Sequence, residues 1–203
     1  MKKLPSTLPN MLLVLTLISV IAAGALAYVN KITAGPIEEN KARTLAEGIN
    51  SVLGVSDAKV QDTTEDNDAN GNPVIIYSTD KGVAVQAIDP NGFGGTLKVL
   101  VGFDEAGAIK GYTVLEHAET PGLGAKASFW FLKGEKGDII GKNPGEKELT
   151  VSKDGGDVDA ITASTITSRA FLRAVNVAFH AYAGASAPAD AQSGASAQQS
   201  SHD

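Results

Sequence analysis

The chain contains no cysteine among its 203 residues. This absence excludes disulfides, thiolate metal sites, iron–sulfur clusters and a cysteine nucleophile, and it suits an oxidising compartment. Positive charge is also scarce, since 17 Lys and Arg residues face 23 Asp and Glu residues, for a formal net charge of -6. Because a phosphate backbone requires a basic face, we expect no nucleic-acid partner.

Clusters of metal ligands or catalytic groups are missing as well. The three histidines, His117, His180 and His202, are scattered without ligand spacing, so we expect no metal site. No Ser/His/Asp order and no paired carboxylates stand out, and we expect no catalytic residues. The single tryptophan, Trp130, lies in an apolar segment that favours a core or interface position.

One long uncharged run, residues 11–29, is typical of a transmembrane helix. A helix of this length spans about 28 Å, close to the roughly 30 Å hydrocarbon core of a bilayer. A cleaved signal peptide is the alternative, because small residues such as Ala23 and Ala25 could form a cleavage site. The run exceeds the usual apolar region of a signal peptide, about 7–15 residues. We therefore predict a retained single span.

Charged residues around the span predict its orientation. Lys2 and Lys3 precede it, whereas Lys31 is followed by Glu38 and Glu39. The positive-inside rule then places residues 1–10 in the cytoplasm, and residues 30–183 outside it, on the periplasmic side of an inner (cytoplasmic) membrane. Residues 184–203 are nearly all Ala, Ser, Gln, Gly, Pro and Asp, which predicts a disordered tail.

The remaining residues predict an α+β domain. A helix with an apolar stripe is expected from Pro36 to a stop at Gly54, and a second from Thr165 to Tyr182 with a stop at Gly184. The acidic, Asn-rich stretch 62–72 is typical of a solvated loop. Strands separated by turn residues are expected at 74–78, 83–88, 96–103 and 108–115, and short connections between them favour an antiparallel sheet.

Two segments could carry a ligand. Residues 162–168 hold five hydroxyl residues in seven and lead directly into the last helix. Unsatisfied N–H groups at a helix start attract anions, phosphate above all, but these residues could equally be helix caps without a ligand. Residues 116–124 follow a strand, and Pro121-Gly122 forces a turn. An ordinary loop is the alternative for this segment.

Together these segments resemble the FMN-binding domain family. Asp159-Ala160-Ile161-Thr162-Ala163-Ser164-Thr165-Ile166-Thr167-Ser168 is similar to its flavinylation motif, usually Asp-x-x-Ser-Gly-Ala-Thr followed by a hydrophobic residue and Ser or Thr. Glu119-Thr120-Pro121-Gly122-Leu123-Gly124 and Gly92-Phe93-Gly94-Gly95 resemble its other signature loops. With the anchor, residues 5–183 are similar to the G subunits of Rnf-type ion-translocating electron-transport complexes. The C subunits of sodium-pumping NADH:quinone reductases are a sibling group.

The resemblance implies a covalent cofactor. A flavin transferase would join the FMN phosphate to Thr165 by a phosphoester. The flavin would then relay electrons between other subunits of the Rnf complex, while the complex moves Na⁺ or H⁺. The chain departs from the motif at Ala163 and Ser164. We expect Glu119 and Thr120 to hydrogen-bond the flavin and Leu123 to pack on its ring. Three more residues of the motif complete the predicted binding site: Asp159, Thr162 and Ser164.

A different class of function fits the same residues if the hydroxyl run is only a helix cap. The chain would then be a membrane-anchored binding or assembly module outside the cytoplasm, with no redox role.

Overall fold

A computed structural model of the chain describes residues 7–186. The chain divides into two compact units, residues 1–44 and residues 45–203. The structure describes the first unit from residue 7 and the second unit as far as residue 186. The first helix, α1, spans Leu8–Leu53. Its N-terminal part is long and apolar enough to cross a bilayer. Large side chains such as Leu12 and Leu26 are exposed there, which suits contact with lipid rather than water.

The prediction that a separate helix begins near Pro36 is wrong, because Pro36 lies inside α1. A proline ring normally clashes with the Cβ of the preceding residue when that residue is helical. Gly35 precedes it here and has no Cβ, so this clash is absent. The predicted end of the helix is confirmed, since Gly54 follows Leu53 with a positive φ of 68°.

A five-stranded antiparallel sheet follows, with its strands in sequential order. The strands are β1 (Val60–Asn67), β2 (Pro73–Thr79), β3 (Gly82–Asp89), β4 (Leu97–Phe103) and β5 (Ile109–Glu116). The four predicted strands are confirmed within a residue at each end. The fifth, β1, contradicts the predicted loop at 62–72, of which only residues 68–72 form the connection to β2. All eight residues of β1 are exposed, so the strand pairs with β2 at the sheet edge without burying an apolar face.

The last turns of α1 cover one face of the sheet. Ile49, Val52 and Leu53 are buried in a cluster that includes Tyr77 and Leu100. The strand glycines Gly102 and Gly111 allow this approach. A Cβ on Gly102 would lie 2.5 Å from the Val52 carbonyl oxygen, and one on Gly111 would lie 3.0 Å from it. These two glycines therefore set how closely the helix packs on the sheet.

The other face is covered by α3 (Thr165–Ser186). The predicted apolar stripe is confirmed: its residues are buried or packed against the core, and Phe171 stacks on Phe131 with ring centroids 4.3 Å apart. The predicted stop at Gly184 is wrong, since the helix continues through Gly184 to Ser186, the last residue that the structure describes. A helix-ending glycine usually adopts a positive φ, and Gly184 does not. Residues 187–203 of the predicted tail lie outside the described residues.

The chain between β5 and α3 has little regular structure. It contains a short helix, α2 (Ala127–Trp130), and two 3₁₀ turns, Gly124–Lys126 and Ser152–Asp154. Tyr112 anchors part of this segment to the sheet, because its buried hydroxyl donates to the Ala127 carbonyl at 2.9 Å and accepts from the Phe131 N–H at 3.1 Å. Burial raises the pKa of the Tyr112 phenol well above its usual value of 10. The segment thereby returns to the start of α3, where the predicted ligand site lies.

Candidate flavin site

The first turn of α3 presents unsatisfied donors. The first main-chain bond of the helix runs from the Ser168 N–H to the Ser164 carbonyl at 3.0 Å, so the N–H groups of Thr165, Ile166 and Thr167 precede it. The buried Ser168 hydroxyl donates to the Ser164 carbonyl and accepts from the Ile161 N–H at 2.9 Å. Because Ser168 fixes the entry of the chain into the helix, the free N–H groups point in a defined direction, which suits an anion.

A cavity of about 290 Å³ lies beside this turn. It brings together five of the predicted site residues, which come from two segments about 40 residues apart in sequence. Its lining residues are Phe93, Glu119, Thr120, Leu123, Gly124, Ala163, Ser164, Thr165 and Ile166. The Thr165 side chain is half-buried at the wall. The predicted acceptor, Thr165, therefore lies both in the first turn of the helix and on the wall of a space large enough for a ligand.

Glu119 links three segments of the site. Its side chain is buried, one carboxylate oxygen accepts from the Thr167 hydroxyl at 2.8 Å, and the other accepts from the Gly94 N–H at 3.3 Å. Gly124 packs against the same pair, since a Cβ there would overlap the Glu119 carboxylate and approach the Thr167 hydroxyl to 2.7 Å. Glu119 thus holds the two glycine-containing loops on the first turn of α3. Its predicted hydrogen bond to a flavin stays a prediction.

Two predicted site residues do not line the cavity. Asp159 supports the motif instead: its carbonyl accepts from the Trp130 indole N–H at 2.9 Å, and its carboxylate accepts from the Ser152 hydroxyl at 3.3 Å. Thr162 is exposed in the turn that precedes the helix. The structure therefore gives Asp159 a positioning role in the connection, and it gives Thr162 no contact with the cavity.

Ala163 adopts a left-handed backbone conformation, with φ of 62°. It is the only non-glycine residue with a positive φ among residues 7–186. This conformation reverses the chain between Thr162 and Ser164 and so delivers Thr165 to the cavity wall. The flavinylation motif that the segment resembles has glycine at this position, where a left-handed conformation is free of steric cost.

Several residues around the cavity were not predicted from the sequence. Phe93 and Ile166 are 69% and 50% exposed and, with Leu123, form an apolar rim. Thr167 is completely buried through its bond to Glu119. Lys153 donates from its ammonium to the Thr165 hydroxyl oxygen at 3.3 Å. A local signal existed for Phe93, which lies within the Gly92–Gly95 loop, but none pointed to Lys153.

An ion pair between Arg169 and Asp154 lies near the cavity. Arg169 makes two hydrogen bonds to the Asp154 carboxylate, at 2.7 and 2.6 Å. The bond from Arg169 is the main reason that the pKa of Asp154 is lowered, and the charge of Lys153 also lowers it. In residues 7–186, no three His, Cys, Asp or Glu side chains are grouped so that they could hold a metal ion.

These features define a class of protein. The free N–H groups suit a phosphate, and the cavity with its apolar rim suits a planar ring, which together fit FMN. Residues 92–180 match the FMN-binding domain family, and they include every residue that lines the cavity.

Whole-chain relatives narrow the class further. The chain is 32% identical over 197 residues to the G subunit of the ion-translocating oxidoreductase complex of Shewanella piezotolerans, covering 88% of this chain and 89% of the relative. It is 33% identical to the protein of the same name in Shewanella baltica, over 79% and 82% of the two chains. The Aliivibrio fischeri (strain ATCC 700601 / ES114) protein of that name is 41% identical over about half of each chain. The chain therefore belongs to the family of G subunits of ion-translocating oxidoreductase complexes.

Proposed function

We propose that the chain is an electron-transfer subunit of a membrane-bound ion-translocating oxidoreductase complex of the Rnf type, and that it carries FMN joined through its phosphate to the Thr165 hydroxyl. One observation carries the proposal: Thr165 lies in the first turn of α3, with its side chain on the wall of the 290 Å³ cavity. Family membership and the domain match support the electron-transfer role and FMN as the cofactor.

The residues around Thr165 can hold both ends of FMN. A phosphoester on Thr165 keeps a negative charge at the positive end of the α3 dipole, within reach of the free N–H groups. Leu123, Phe93 and Ile166 offer an apolar surface on which the ring can pack. The bound flavin supplies the redox chemistry, accepting and releasing electrons, whereas the protein fixes its position and surroundings. Glu119 and Thr167 keep the two halves of the cavity together.

The covalent bond is tested by intact mass after co-expression with a flavin transferase. The wild-type chain should gain the mass of FMN less one water, and Thr165→Ala should not. Thr162→Ala is the matched control, because Thr162 is an exposed threonine three residues away that does not line the cavity. It should gain the same mass as the wild type. Mass addition to Thr165→Ala would show that the acceptor is another residue.

Two further outcomes have distinct meanings. If the wild type binds FMN without a mass change, covalent attachment fails while the flavin function stands. If it binds no FMN in either form, the alternative of an anchored assembly module is favoured. The fold of Thr165→Ala should survive, since alanine is a good helix former and loss of the threonine costs about 1 kcal/mol at most.

We also propose that the FMN domain lies outside the cytoplasm, on the periplasmic side of the inner membrane, beside the other subunits of the complex. Support comes from the apolar part of α1 and from Lys2 and Lys3 before it. A reporter fused to the C-terminus that is active only after export should be active. Activity of a reporter that works only in the cytoplasm would overturn the orientation.

A further inference from the structure

Lys153 lies opposite the proposed attachment point. It belongs to the 3₁₀ turn Ser152–Asp154, and its ammonium lies 3.3 Å from the Thr165 hydroxyl oxygen. Within the described part of the chain, this is the one hydrogen bond that the Lys153 side chain makes, and the lysine forms no salt bridge shorter than 4.0 Å. Its positive charge is therefore not neutralised by direct contact with a carboxylate.

The neighbouring ion pair positions this lysine. Arg169 lies one helical turn beyond Thr165 on α3, and it grips Asp154 through two hydrogen bonds. Asp154 directly follows Lys153, so the pair ties the 3₁₀ turn to the first turn of the helix. Because the Arg169 charge is paired with Asp154, Lys153 is the cation that faces Thr165.

We propose that Lys153 is the counter-ion of the phosphate carried by Thr165. This inference rests on the proposed attachment of FMN. The phosphate of such a diester keeps one negative charge at neutral pH, and two carboxylates belong to the same region: Glu119 lines the cavity, and Asp154 follows Lys153 in the 3₁₀ turn. An ammonium already within hydrogen-bond distance of Thr165 Oγ can reach the phosphate oxygens through its flexible stem. A charge-assisted bond there offsets the repulsion and holds the phosphate against the helix start.

The test measures how fast the full-length chain, purified in detergent, gains the FMN mass from a flavin transferase and its flavin donor. Lys153→Met removes the charge and keeps the apolar stem, and it should slow labelling roughly three- to tenfold. Lys153→Arg should restore most of the rate. Lys133→Met is the matched control, since Lys133 is an exposed lysine that does not line the cavity, and it should label like the wild type.

The variant Asp154→Asn tests whether the Asp154–Arg169 pair positions Lys153 or whether only the net charge near Thr165 matters. If only net charge near Thr165 mattered, removal of this carboxylate would speed labelling of the chain. If the Asp154–Arg169 pair positions Lys153, labelling should slow instead. Faster labelling of Asp154→Asn would overturn the positioning of Lys153 by the ion pair.

A second readout does not depend on the transferase. In the wild type, attached FMN should raise the midpoint of thermal unfolding more in low salt than in high salt, because salt screens the ion pair. In Lys153→Met, the salt-dependent part of that rise should be lost. An unchanged rise, or a labelling rate equal to that of the wild type, would overturn the proposal. So would Lys153→Arg labelling no faster than Lys153→Met, since that would indicate recognition of the lysine by the transferase.

The two levels of proposal fail differently. If the wild type gains no FMN mass, attachment at Thr165 fails and Lys153 loses its proposed phosphate. If the wild type is labelled and Lys153→Met matches it in either readout, only the counter-ion role fails.

Discussion

The left-handed conformation of Ala163 can be tested by Ala163→Gly. With φ at 62°, a residue that carries a Cβ costs about 1–2 kcal/mol relative to the right-handed conformation. Glycine removes this cost but adds about 0.4–1 kcal/mol of conformational entropy to the unfolded chain. The Ala163 methyl group is exposed, so little packing is lost. The difference, about 0–1.6 kcal/mol with a midpoint of about 0.8 kcal/mol, predicts a more stable protein.

Thermal unfolding of the full-length chain in detergent, followed by the fluorescence of Trp130, measures this change. Trp130 is a suitable probe because its indole N–H bonds to the Asp159 carbonyl, just before the turn that contains Ala163. The midpoint should rise by about 1–4 °C. The control is Ala106→Gly, at an exposed turn position without a positive φ, where only the entropy term applies and the midpoint should fall. A lower midpoint for Ala163→Gly would refute the argument from strain.

Two further predictions concern the ion pairs of α3 and the alkaline limit of stability. Arg173→Leu should lower the free energy of unfolding by about 1–3 kcal/mol, because it strips the buried Asp89 carboxylate of two hydrogen bonds. Arg169→Leu should lower the free energy of unfolding by less, since its partner Asp154 is exposed. Equal losses of unfolding free energy for the two variants, measured in urea, would contradict this prediction. Burial raises the pKa of Tyr112, so the unfolded chain releases this proton at lower pH than the folded chain does. Stability should therefore fall above about pH 10, and the fall in the urea midpoint should be shallower in Tyr112→Phe. If the urea midpoint of Tyr112→Phe falls with pH as steeply as that of the wild type, this prediction is wrong.

The strands and helices that bury apolar side chains were predictable from the sequence. Strands β2 to β5 alternate or cluster apolar residues between turn residues, and the stripe on α3 recurs at helical spacing. Strand β1 was missed because it is polar and exposed on both faces, so its extended conformation comes from pairing with β2, which a local pattern cannot reveal. The helix start expected at Pro36 was wrong, because proline is typical of a first helical turn but here lies inside the continuous helix α1.

In the site, too, the features that depend on neighbouring residues were predictable, and the contacts between distant residues were not. The hydroxyl run ending at Thr165 is local, whereas the bond from Thr167 to Glu119 joins residues 48 positions apart, and Lys153 approaches Thr165 from another turn. No spacing rule reports either contact, because both depend on how the segment between β5 and α3 returns to the helix.

The departure from the motif at Ala163 shows what the structure adds. From the sequence alone, the usual glycine could be required either for room beside a ligand or for the backbone. The positive φ of Ala163 favours the backbone requirement. The alanine should then cost stability without excluding the cofactor. Ala163→Gly is expected to raise the unfolding midpoint while the FMN mass gained at Thr165 stays the same. A large increase in labelling without a change in midpoint would instead show that the methyl group obstructs the site.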